Sequence, residues 1–190
     1  MNDVGRVNVA TALLLCSTAC APSQSFRPAS LGGTDRAHEV GVALSNVEPR
    51  PYVVEPTQRI GQGWWTIPLN PEWSLTALAA FDASSLLGGV GLRMSVARSR
   101  WVALAVELEA GLFYAGVSVP AAVGLWPGSA LYCSPRLGNW GPDIAPFIPC
   151  GLTVEIIDGF SVRAEGQVSW AEFQYYNRRV HWGFAVTHQW

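Results

Sequence analysis

The chain has 190 residues, enough for one domain that forms a closed sheet or a sizeable core. Charged residues make up 14% and hydrophobic residues 49%, against roughly 25% charge in an ordinary soluble domain, so there is little charge to cover a water-exposed surface. The net charge is −2 and no cluster of Arg alternates with aromatics, which excludes the electrostatic footprint of nucleic-acid binding.

At the amino end Arg6 precedes the apolar run Val7 to Leu15, followed by the small residues Cys16-Ser17-Thr18-Ala19-Cys20. A positive residue, a short apolar run and small residues describe an export signal, too short for a membrane-spanning helix. Ser17-Thr18-Ala19-Cys20 resembles the lipobox of bacterial lipoproteins, which implies a signal peptide over 1–19 and lipidation at Cys20 as first mature residue. It departs from that pattern at Ser17, where an aliphatic residue is usual. Cleavage after Ala21 in Ala19-x-Ala21 is the other scheme, disfavoured by Pro22. The stretch 20–36 is rich in Ser, Pro and Gly without periodicity and reads as a flexible tether.

From residue 37 to 190 the period is two. Glu39 to Ser45 alternates Val40, Val42 and Leu44 with small or polar residues, and Gln62 to Leu69 sets Trp65, Ile67 and Leu69 on one face. Trp73 to Asp82 aligns Leu75, Ala77, Ala79 and Phe81; Leu87 to Ala97 aligns Val90, Leu92, Met94 and Val96. Trp101 to Tyr114 is the clearest strand, with Val102, Leu104, Val106, Leu108, Ala110, Leu112 and Tyr114 on one face. Helical spacing would scatter those residues around the axis. Val117 to Leu125, Ala130 to Leu137, Phe147 to Ile157, Phe160 to Trp170 and Val180 to Trp190 complete ten strands. Pro120, Pro135 and Pro149 fall inside strands, where proline cannot donate to a ladder, so eight or twelve strands stay open.

Short connections at Asn70-Pro71, Ser99, Pro127-Gly128 and Asp158-Gly159 alternate with the longer stretches 46–61, 138–146 and 171–179, the exceptions being 83–85 and 115–116, which are short although they fall on the long-loop side. In the terminal strand, Trp182, Phe184, Val186, His188 and Trp190 alternate with His181, Gly183, Ala185, Thr187 and Gln189. This segment resembles the last strand of bacterial outer-membrane β-barrel proteins, which ends on an aromatic residue with alternate hydrophobic residues before it. The resemblance implies an all-β, closed antiparallel up-and-down transmembrane barrel in the outer membrane of a Gram-negative bacterium. It gives Trp182, Gly183, Phe184, Val186 and Trp190 the role of an assembly signal. The partners it implies are outer-membrane lipids and the barrel assembly machinery, with any loop-binding partner left unknown.

The second face carries Gly, Ala, Ser and Thr with a sparse ionisable set. Glu39, Glu107, Glu109, Glu155 and Glu165 stand against Arg93, Arg136 and Arg163, as expected of a narrow lumen in which charges pair. The lumen ion pairs are assigned to Arg93, Glu107, Glu109, Glu155, Arg163 and Glu165. Tyr114, Trp126, Trp170, Trp182 and Trp190 sit near strand ends, as an interfacial girdle requires. If Leu137 pairs with Pro146, Cys133 lies opposite Cys150, and either a cross-strand disulfide or two free thiols follows. No residue pattern calls for a metal or cofactor, and none marks catalysis. The function expected is an integral barrel of structural or interaction type with a small plugged lumen. The alternatives are a lipid-tethered soluble lipocalin-like barrel holding an apolar ligand, and an outer-membrane lipid hydrolase using His181 with Glu165 or Ser169.

Overall fold

A computed structural model describes residues 27–29, 38–47, 58–81, 86–111, 114–140, 143–170 and 178–190. The signal sequence 1–19, Cys20 and the side chain of Trp170 lie outside these residues. Every element among them is a strand: β1 (Glu39–Val47), β2 (Gln58–Pro68), β3 (Trp73–Phe81), β4 (Leu86–Arg98), β5 (Val102–Gly111), β6 (Tyr114–Ser118), β7 (Ala121–Trp126), β8 (Ser129–Cys133), β9 (Arg136–Trp140), β10 (Asp143–Ile157), β11 (Phe160–Trp170) and β12 (Arg178–Gln189). All pairings are antiparallel; β5 pairs with both β6 and β7, β10 with both β8 and β9, and β12 pairs back onto β1, so the sheet closes on itself.

Ten strands surround the axis, because β6 with β7 and β8 with β9 are two strands interrupted at proline. Glu107 opposite Ser118 and Val102 opposite Val123 belong to one continuous register, and so do Leu137 opposite Pro146 and Cys133 opposite Cys150. The prolines accept where they cannot donate. The carbonyls of Pro120, Pro135 and Pro149 take hydrogen bonds from the N–H groups of Ala105, Val119 and Ser134 at 2.8, 2.9 and 2.8 Å. Each such pair keeps one ladder bond and the register survives.

The four short connections gather at one end, together with His38 and Trp190. The Asn70 side chain accepts from the N–H groups of Glu72 and Trp73, and Ser99 Oγ accepts from those of Trp101 and Val102. Gly128 and Gly159 hold φ of 79° and 76°, the left-handed conformation these hairpin turns need. At the seam the His38 and Trp190 backbones exchange two hydrogen bonds of 3.1 Å, and the two rings stack at 5.7 Å.

Two expectations are corrected. β5 ends at Gly111 and Tyr114 opens the next strand, so its ring is buried in the barrel and does not belong to an outer girdle. The run Leu112-Phe113-Tyr114 is apolar throughout, and alternation alone cannot mark where such a run reverses. The stretch 138–146 is largely strand, since the β9–β10 ladder continues to Trp140 opposite Asp143. Backbone pairing does not require an alternating side-chain pattern, so the Gly and Pro there hid it.

Candidate functional site

The barrel is apolar outside and charged inside. Val40, Val42, Leu44, Leu75, Val90, Leu108, Val123, Leu131, Phe184 and Val186 are exposed on the outer face. Glu107, Glu109, Arg136, Arg163 and Glu165 are buried on the inner one. The lumen is the candidate site.

One wall is built on β4, β5 and β9. Arg93 stands opposite Glu107 in register, and its Nε and Nη2 donate to Glu107 Oε2 at 3.1 and 2.7 Å. Along the same row Glu107 faces Ser118 and Ser118 faces Arg136, whose guanidinium pairs with Glu109. The opposite wall centres on Glu39, which accepts from Arg163 Nη1 and Nη2 at 2.9 and 2.7 Å, from Trp64 Nε1 at 2.8 Å and from Gln189 Nε2 at 2.7 Å. A bidentate guanidinium with two further donors is the kind of satisfaction that a buried carboxylate needs.

A third contributor comes from outside the strands. Arg27 is buried in the lumen and pairs with both Glu107 and Glu109, while Arg93 donates to the carbonyls of Pro28 and Arg27 at 2.8 Å each. Ala29 packs with Ala103, Ala105, Ala122 and Tyr132. Three residues of the stretch read as a tether therefore sit inside the barrel.

Of the residues assigned to lumen ion pairs, Arg93, Glu107 and Glu109 meet in one cluster and Arg163 pairs with Glu39 in another. Glu165 is buried on the row that runs through Gly151 to Tyr132. Glu155 is elsewhere: it is exposed at the turn end, and its Oε1 accepts from the Gly159 N–H at 3.0 Å. The sequence reading missed Arg27, which sits in a segment without period, and Trp64, which lies beside the more conspicuous Trp65.

Large inward side chains lie over glycine. The space where a Cβ would stand at Gly41 is filled by the Trp64 ring, at Gly89 and Gly111 by Tyr114, and at Gly151 by Tyr132. A cavity of about 330 Å³ reaches the turn end, bounded by Arg27, Glu39, Arg93, Trp101, Trp126 and Arg163 among others. Among the described residues no three His, Cys, Asp or Glu side chains converge as metal ligands. His181 is buried next to Gln167 in register, and His188 lies between the rings of Phe160 at 4.1 Å and Trp190 at 5.5 Å.

On the outside, Cys133 and Cys150 face each other in register and are joined in a disulfide between β8 and β10. Trp126, Trp182 and Trp190 are exposed near the barrel ends; Phe184 and Val186 share the outer face of β12, with Gly183 buried on the inner one.

No family model matches the chain, and no curated protein matches it. Among solved structures it is similar to a barrel from the de novo design of transmembrane β-barrels, at 13% identity over 85% of this chain and 99% of that one, with a TM-score of 0.43. It is also similar to Ail, the attachment invasion locus protein of Yersinia pestis, at 12% identity over 81% and 97%, with a TM-score of 0.39. The N-terminal β-barrel domain of Pseudomonas aeruginosa OprF gives 11% identity over 80% and 97%, with a TM-score of 0.35.

Proposed function

We propose that the protein is an integral β-barrel of the outer membrane of a Gram-negative bacterium, of structural or interaction type, with a lumen closed by its own ion pairs. The observation that carries this reading is the inverted surface. A soluble monomer rarely exposes an apolar patch beyond a few hundred Å², whereas exposed Val, Leu, Ile, Phe and Trp here occur on strands all around the barrel. Hydrocarbon is the solvent such a face fits. Closure of the sheet suits the same solvent, because an open edge would leave backbone groups unpaired in lipid.

The soluble lipocalin-like alternative requires an apolar lumen for its ligand and a polar exterior; the charge distribution favours neither. The hydrolase alternative would use His181, which is buried on the inner face opposite Gln167. Outer-membrane lipids are the partners the outer face fits, and the barrel assembly machinery would place it there. Connections at the end away from the tight turns would meet any further partner.

Leu108→Arg tests this reading. Leu108 is 57% exposed, so in water the change should alter stability by no more than about 0.5 kcal/mol. Facing the hydrocarbon midplane it should cost about 2–4 kcal/mol. Denaturant unfolding of protein folded into phospholipid vesicles measures the difference, and a near-neutral result would defeat the reading.

A further inference from the structure

We propose that Arg27-Pro28-Ala29 is a removable plug, and that its withdrawal gives the barrel a further activity, the passage of small hydrated ions. The inference rests on the membrane-barrel reading above. Arg27 and Ala29 belong to no strand, yet they are as buried as the wall, at 2% and 3% exposure. The wall's own large inward rings Trp64, Tyr114 and Tyr132 are laid over glycines. Arg27 is left to reach into the space they clear.

Charge pairing decides whether this segment is a permanent strut or a removable one. A buried carboxylate that loses its only cation is very costly. Glu107 also holds Arg93, and Glu109 also holds Arg136. When Arg27 leaves, each carboxylate therefore keeps a guanidinium, and Arg27 is hydrated outside. Its contact residues can close their own pairs behind it. Glu39 and Arg163 differ in this respect, being each other's bidentate partners within the wall. The three residues also line the cavity of about 330 Å³ at the turn end, so their withdrawal lengthens an existing water-accessible space. The described lumen then carries Glu39, Glu107, Glu109 and Glu165 against Arg93, Arg136 and Arg163. One excess carboxylate gives a weak preference for cations.

The test is single-channel recording in planar bilayers in potassium chloride, on the refolded mature chain and two variants. Arg27→Ala should raise the open probability about tenfold or more, the effect of losing one charge-assisted hydrogen bond, with a reversal potential on the cation side. The pair Ala29→Cys and Ala103→Cys, oxidised after folding, should cross-link the plug to the wall and silence the channel. Arg27→Ala as silent as the parent would overturn the proposal. So would a reversal potential on the anion side, conduction through the cross-linked protein, or failure of the cross-link to form. Loss of heat-modifiable migration in Arg27→Ala alone would also overturn it, because the wall is held to stand without the plug. If the parent itself neither inserts nor migrates as a heat-modifiable band, the membrane-barrel reading fails instead.

Discussion

Glu107 joins two guanidinium groups in the lumen, with Arg93 and Arg27 on its two oxygens and 1% exposure. Glu107→Ala removes the carboxylate that the half-buried Arg93 and the buried Arg27 share, leaving Arg27 with Glu109 and Arg93 with the Arg27 and Pro28 carbonyls. It should lower stability by about 3–5 kcal/mol, measured by denaturant titration in vesicles against Glu155→Ala, which should change little because Glu155 is exposed. The difference between these two glutamates was not legible from alternation, since both point to the inner face. Position along the strand separates them: Glu107 lies within β5, Glu155 beside the turn at Asp158-Gly159. Arg27 was invisible to periodicity for a related reason, because its segment forms no strand. One signal did point to it. The inner-face inventory held five carboxylates and three guanidinium groups, and an excess of carboxylates in a narrow lumen calls for a cation from elsewhere.

The strands are the legible scale of this protein. Each separates two environments of opposite polarity, so Val40, Val42 and Leu44 or Val102 to Leu108 announce their face without help from tertiary contacts. The turns were equally readable where a side chain or a glycine makes them, as at Asn70, Ser99 and Asp158-Gly159. What failed was the apolar reversal before Tyr114 and the strand content of 138–146, where neither alternation nor turn chemistry marks the boundary. Register alone set Cys133 opposite Cys150, because pairing Leu137 with Pro146 fixes both, and of the two outcomes left open, bond or free thiols, the structure has the bond. That bond closes a hairpin of 17 residues' separation, so Cys133→Ser with Cys150→Ser should cost about 2–4 kcal/mol. Unfolding of the double variant in vesicles measures the loss, and non-reducing mass spectrometry of the parent should find no free thiol at either position.

At the scale of the whole molecule, period two does not distinguish a barrel in water from a barrel in lipid. The distinction came from composition of the second face: with 14% charged residues there is too little charge to clothe the outside, and what the inner face carries is largely drawn into the pairs around Glu39, Glu107 and Glu109. Closure at the seam adds a consistent element, since β12 pairs with both β11 and β1 and leaves no edge there. The central claim is that this outer face is solvated by hydrocarbon. It is tested most directly by folding the chain from Pro22 onward, which lacks Cys20 and any acyl group there, with phospholipid vesicles, then washing with high-pH carbonate and floating the vesicles. The protein should rise with the lipid; a folded protein left behind in the carbonate wash would contradict the account.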